Sequence, residues 1–269
     1  YFGSKGKKTT SDTKKINGKT YFFDDDGKMR DGWYQDGNDV YYLGDENDGA
    51  RTSGWLWLEK PDDDADIDLC DDECDVCDEE GWYWFGSNGK MYKDAKQKKI
   101  NGKYYYFNEH GQMLYEWING AKVTKGSNAQ LDGENPNATP SDVYYMNVVE
   151  EGWRADGWYQ IDGAWYFMNA DGSLKQNESF LYDNNLYFVN KSGKMYQNQW
   201  LKWDGNYYYL RSWGGAAHEG WLLLQNKYYY INEDCTRKTD EAFTYDNNLY
   251  FVDENGVMPA NQWVIREGV

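Results

Sequence analysis

Apolar positions along this chain come in short bursts of three or four residues, nearly all aromatic, set between polar turns. Tyr21-Phe22-Phe23, Tyr104-Tyr105-Tyr106-Phe107, Trp165-Tyr166-Phe167, Tyr207-Tyr208-Tyr209 and Tyr228-Tyr229-Tyr230 are the clearest. A two-residue turn signal precedes most of them: Asn17-Gly18, Asn101-Gly102, Asp162-Gly163, Asn184-Asn185 or Asp204-Gly205. Such pairs tolerate the positive φ that tight hairpin loops require. Upstream of each turn stands one larger residue, at Lys15, Trp33, Trp55, Lys99, Trp117, Trp158, Phe180, Trp200, Trp221, Phe243 and Trp263. A second polar turn with glycine, such as Asp24-Asp25-Asp26-Gly27 or Asn190-Lys191-Ser192-Gly193, closes the unit. Helical periodicity is absent, so the pattern predicts a row of short β-hairpins.

The row is a repeat. Tyr182 to Val189 recurs unchanged at Tyr245 to Val252, an offset of 63 residues, and Lys15 to Lys19 recurs at Lys99 to Lys103, an offset of 84. Both are multiples of 21, which fixes the unit. A lone hairpin is marginal in water, so the units must cover one another's rings by stacking, with nearest-neighbour contacts carrying the stability. The expected fold is all-β, a β-solenoid of about ten stacked hairpin repeats of ~20–22 residues, with two loop insertions at 59–80 and 119–142. The 63-residue echo suggests that every third hairpin faces the same way. Tyr1 to Lys7 resembles the second half of a unit (Trp84 to Lys90), and Trp263-Val264-Ile265 opens another. Residues 1–269 are therefore expected to be one solenoid, cut from a larger protein.

Composition changes the picture in one respect. The chain holds 26 Tyr and 14 Trp with a mean hydropathy of −1.00, which fits a thin structure whose rings are both packing and surface. A formal charge of −18 argues against nucleic acid and anionic membranes as partners. No apolar stretch is long enough to insert in a membrane.

The units follow a pattern of Gly-Trp, a turn, Trp/Tyr-Tyr-Phe and Gly-x-Met, with Gly32-Trp33 to Gly44, Gly157-Trp158 to Gly172 and Gln199-Trp200 to Leu210 as good examples. These units resemble the choline-binding and glucan-binding cell-wall repeats of Gram-positive bacteria, and the likeness runs along nearly the whole chain. Related repeats form the receptor-binding ends of clostridial toxins. The resemblance implies a left-handed solenoid and ligands held between neighbouring hairpins, caged by a first-strand Trp, a second-strand aromatic and a ring of the next hairpin. A quaternary ammonium suits such a cage because cation–π attraction needs no hydrogen bond. Carried over, the sites are Trp158 with Trp165 and Tyr187, Trp200 with Tyr207 and Tyr229, Trp221 with Tyr228 and Tyr250, and Trp33 with Tyr41. Phe180 with Leu186, Phe243 with Leu249, and Lys15 with Thr20 depart from the pattern and are expected to be spacers. The same rings also serve to pack hairpin on hairpin.

The first insertion is acidic. Asp62, Asp64, Asp66, Asp68 and Glu73 fall at positions 1, 3, 5, 7 and 12 of a calcium-loop spacing, although Ile67 stands where glycine belongs. The alternatives are a Ca²⁺ site and a solvated acidic loop. Cys70, Cys74 and Cys77 lie in the same insertion and Cys235 far from it. Three thiols suit Zn²⁺ only with a fourth ligand, which is not evident, so a local disulfide leaving one or two free thiols is the preferred reading. The second insertion, rich in Asn, Gly, Ser and Pro, reads as a surface loop.

The two histidines, His110 and His218, fall in predicted turns, and no nucleophile–base arrangement or phosphate loop is seen. A non-catalytic, cofactor-free module is expected, extracellular or attached to the cell wall. Its partner would be choline-bearing teichoic acid. An α-glucan such as dextran or starch is the first alternative, and a protein receptor held by the insertions the second.

Overall fold

The structure, a computed structural model, describes residues 1–61, 67, 69, 77–120, 124–125 and 143–260. Its strands form ten small antiparallel sheets. Nine are plain hairpins. In chain order they are β1–β2 (Asp12–Ile16, Lys19–Phe23), β3–β4 (Trp33–Asp36, Asp39–Tyr42), β5–β6 (Gly54–Glu59, Glu80–Phe85) and β7–β8 (Ala95–Ile100, Lys103–Phe107). After β9 (Trp117–Asn119), β10 (Thr124–Lys125) and β11 (Val143–Tyr145), which form a three-stranded sheet, come β12–β13 (Gly157–Ile161, Ala164–Met168) and β14–β15 (Glu178–Tyr182, Asn185–Val189). The row ends with β16–β17 (Gln199–Trp203, Asn206–Leu210), β18–β19 (Gly220–Leu224, Lys227–Ile231) and β20–β21 (Glu241–Tyr245, Asn248–Val252).

The turns explain the register. Asn17-Gly18, Asn101-Gly102, Asp162-Gly163 and Asp204-Gly205 all hold positive φ at both positions, the conformation whose twist matches the flanking strands. In β14–β15 the turn pair is Asp183-Asn184, one residue earlier than the expected Asn184-Asn185, because Tyr182 pairs with Asn185. Asp246-Asn247 repeats that choice, and Gln225-Asn226 makes the same turn without glycine. The first insertion begins after Glu59 and ends before Glu80, which face each other across the hairpin. The second is not wholly a loop, since Thr124–Lys125 pairs along β9.

In most hairpins the last residue of the second strand is the anchor of the unit. Phe85, Phe107, Met168, Val189, Leu210 and Ile231 are completely buried. Each also bridges to a residue six positions on, namely Met91, Met113, Leu174, Met195, Ala216 and Arg237. The backbone N–H of that later residue reaches back to the preceding hairpin: Met113 to the Trp82 carbonyl, Met195 to Trp165, Ala216 to Leu186, Arg237 to Tyr207 and Met258 to Tyr228, all at 2.8 Å. Consecutive hairpins are thus joined by main chain as well as by rings, as a linear repeat requires.

Two compact units result, the first holding β1 to β11 and the second β12 to β21. Each is a stack of hairpins by itself. In the first, Val40, Tyr83, Phe85 and Met91 form one buried cluster and Ile100, Tyr105, Phe107 and Met113 the next. In the second, Phe188, Leu210, Ala216 and Cys235 pack together, followed by Ala217, Leu222 and Ile231.

Candidate aromatic ligand sites

Alternation along a strand puts Trp158 and, across the ladder, Phe167 and Trp165 on one face of the β12–β13 hairpin, with Tyr166 and Met168 buried on the other. Trp158 meets Trp165 edge to face, centroids 6.5 Å apart at 83°. From the next hairpin Tyr187 comes to 4.9 Å of Trp158. The linker then brings Met195 beneath, and Trp213 closes the side at 6.0 Å from Tyr187. These five side chains enclose an open cavity of about 260 Å³. Trp165 and Trp213 are 37% and 47% exposed, so both present ring surface to solvent. Burial and the nearby Asp183 raise the Tyr187 phenol pKa, which keeps it neutral.

The same geometry recurs in the first unit with residues the sequence pattern did not bring together. Trp55 and Trp82 stand 6.3 Å apart at 86°, and Tyr105 lies 4.9 Å from Trp55. With Met113 and Trp153 they line a cavity of about 200 Å³ whose rim carries Glu150 and Glu151. Trp82 escapes a search by spacing because the acidic insertion separates it from Trp55. The sequence Gly81-Trp82-Tyr83-Trp84-Phe85, set beside Ala164-Trp165-Tyr166-Phe167-Met168, would have found it.

A third copy has Trp221 and Tyr228 6.3 Å apart at 88°, with Tyr250 at 5.0 Å and the Met258 N–H bonded to Tyr228. Trp200 likewise meets Tyr229 at 4.9 Å. Here, however, the Arg237 guanidinium carbon lies 4.9 Å from the Trp200 centroid and 4.3 Å from that of Tyr207.

The expected Trp33 and Tyr41 pair does not form. Trp33 lies opposite Tyr42 and packs on Tyr83 at 4.9 Å, whereas Tyr41 lies opposite Tyr34 on the other face, against Phe22. The position equivalent to Trp165 is Val40, buried and aliphatic, so this joint has no second-strand ring. One step of register exchanges the faces. Phe180 and Phe243 lie opposite Tyr187 and Tyr250, one step from the expected Leu186 and Leu249; Phe180 packs on Trp158 at 5.7 Å and Leu249 is 67% exposed.

Asp62, Asp64, Asp66, Asp68 and Glu73, with Cys70 and Cys74, lie outside the described residues. Among the described residues no three His, Cys, Asp or Glu side chains gather to hold a metal. Cys77 is disulfide-bonded, and Cys235 is a buried free thiol whose pKa burial raises. No described helix is long and apolar enough to cross a membrane.

Known proteins match this arrangement. A family model described as a choline-binding repeat matches residues 9–55, and one described as a putative cell wall binding repeat matches 76–91, 98–113, 156–174 and 198–216. No curated protein matches the chain. Among solved structures, CbpJ from Streptococcus pneumoniae aligns with TM-score 0.61 at 21% identity, over 94% of this chain and 88% of its own. Choline binding protein F from the same organism, solved with a peptidoglycan analogue, aligns with TM-score 0.60 at 21% identity, over 94% and 87%. The modular autolysin LytC, also from S. pneumoniae, gives 0.54 at 19% identity; 97% of this chain covers 51% of it. At these identities the structures speak for the fold, and the family models for the repeats themselves. Five segments of the chain thus match models of choline-binding and putative cell wall binding repeats, and its fold of stacked β-hairpins is that of the choline-binding proteins CbpJ and CbpF.

Proposed function

We propose that the chain is a non-catalytic anchor that attaches its parent protein to the bacterial cell envelope by holding choline groups of teichoic acid. The supporting observation is the repetition of one cage: Trp55, Trp82, Tyr105 and Met113; Trp158, Trp165, Tyr187 and Met195; Trp221, Tyr228, Tyr250 and Met258. Packing alone asks for close contact and sets no requirement for the open cavities at the Trp55 and Trp158 cages. The Trp158 cavity is lined by four aromatic rings and a thioether. A trimethylammonium group gains ring-face attraction there without leaving a donor unpaired, at about 0.5–2 kcal/mol per contact. A sugar would leave most of its hydroxyls without partners in such a cavity, which weakens the glucan alternative. Three contacts of this size put a single site in the region of ~1 mM, so retention on the wall rests on several cages engaging one polymer.

Titration calorimetry and Trp fluorescence with choline, then with an α-glucan series, test the reading. Saturable choline binding, reduced by one site in Trp158→Ala/Trp165→Ala, is the expected result. A response to glucan alone would make the module a carbohydrate binder. Silence to both would move the function to the insertions and a protein partner.

A further inference from the structure

At the Trp200 joint the cage is built but filled from within. Arg237 occupies the backbone position that Met113, Met195 and Met258 hold elsewhere, since its N–H donates to the Tyr207 carbonyl at 2.8 Å as theirs do to Trp82, Trp165 and Tyr228. Its guanidinium carbon lies 4.9 Å from the Trp200 centroid and 4.3 Å from the Tyr207 centroid, in the range where a ring face attracts a cation. Nε is buried and has no hydrogen-bond partner among the described residues. Aromatic faces, with the charge of the nearby Asp253, therefore replace part of its hydration. The following turn leaves space for the stem: a Cβ on Gly256, at φ +71°, would come within 2.6 Å of Nε.

We propose that the Trp200, Tyr207 and Tyr229 cage is latent, its ligand being the Arg237 guanidinium of the same chain, and that it takes no external quaternary ammonium. A tethered cation competes at an effective concentration far above that of a free ligand. An incoming choline would also have to displace Arg237 from ring faces it already occupies. The joint between β16–β17 and β18–β19 is then a permanent clasp, while the Met-lined joints are the ones that load. This rests on the reading that open cages hold quaternary ammonium.

Choline calorimetry on the wild type, Arg237→Met, Arg237→Gln, Trp200→Ala and the double variant Arg237→Met/Trp200→Ala tests it. Arg237→Met is expected to bind one more choline per chain than the wild type, and the double variant to lose that gain. Trp200→Ala alone is expected to keep the wild-type number of sites and melt at lower temperature. Loss of a site in Trp200→Ala would overturn the proposal, as would a folded Arg237→Met and Arg237→Gln that both keep the wild-type number. If no variant binds choline, the anchor reading fails and the clasp is judged in ligand-free protein by NMR. The Arg237 δ-methylene protons should be shifted upfield by the rings and return to ordinary positions in Trp200→Ala; ordinary shifts in the wild type would overturn it.

Discussion

The joints at Trp158 and Trp200 lie two repeats apart in the same unit and share one backbone plan. Both hold a first-strand Trp 4.9 Å from a Tyr of the next hairpin, and both receive an N–H from the linker at 2.8 Å. One encloses an open cavity and the other is filled by a guanidinium. They differ on the linker, Met195 against Arg237, in the second strand, Trp165 against Tyr207, and in Trp213, where Asn255 stands two repeats on. In this fold, then, the strands build the walls and the linker decides whether the space between them is available.

The sharpest way to break the comparison is to exchange the linker residue. Met195→Arg is expected to abolish choline binding at the Trp158 cage as fully as Trp158→Ala/Trp165→Ala does, but without their loss of stability. Removing a large partly buried ring costs about 3 kcal/mol, so the melting curves of the two variants should diverge while their calorimetric site numbers agree. A Met195→Arg protein that still loads this cage would show that the linker side chain does not control access.

Ligand should also distinguish the joints in the unmodified protein. Choline at 100 times its dissociation constant stabilises a bound site by about 2.7 kcal/mol. Amide exchange in β12 to β15 is therefore expected to slow on loading, with less change at β16 and β17. Equal slowing at both would count against a closed Trp200 cage.

A smaller effect is expected from glycine. A Cβ at Gly214, φ +94°, would fall 2.2 Å from the Met195 sulfur, whereas one at Gly205, φ +84°, meets nothing within 4 Å. Both substitutions carry the ~1–2 kcal/mol penalty of a left-handed backbone, and Gly214→Ala should in addition displace Met195 and weaken binding. Matched melting and choline titrations of the two variants check this.

The smallest expected effect is on pH. Hydrogen bonds from Thr236 lower the Asp234 carboxyl pKa in the turn before Arg237. A depressed folded-state pKa contributes stability above the unfolded value near 3.8 and loses it as pH falls through the folded one. Asp234→Asn should therefore melt slightly earlier at pH 7 and show a flatter decline below pH ~4.

Much of the fold was legible because its signals are local. Asn17-Gly18 and Asp204-Gly205 mark their turns, and the bursts of Tyr mark the strands between them. Two ring pairs were legible for the same reason, since Trp158 and Trp165, and Trp221 and Tyr228, each stand seven residues apart and meet edge to face. Tyr41 is the first aromatic of Val40-Tyr41-Tyr42, but the ladder counts positions whatever occupies them, and Val40 holds the cage position. Trp82 was hidden by an insertion that changes spacing without changing register. Met195 closes the recurrent Gly-x-Met of the repeat and Arg237 breaks it, but their place against the preceding hairpin is set by a main-chain hydrogen bond that sequence distance does not record.

That linker hydrogen bond has a mechanical meaning. In the anchoring role proposed above the chain would carry load along its length, and the load path would cross from one hairpin to the next through a short main-chain tie and the cage around it. Detaching one 21-residue unit releases roughly 70 Å of extended chain, so stretching should give a train of small steps in place of one large rupture. A loaded cage braces its tie, which would make the anchor hardest to pull apart while it is holding on to the wall.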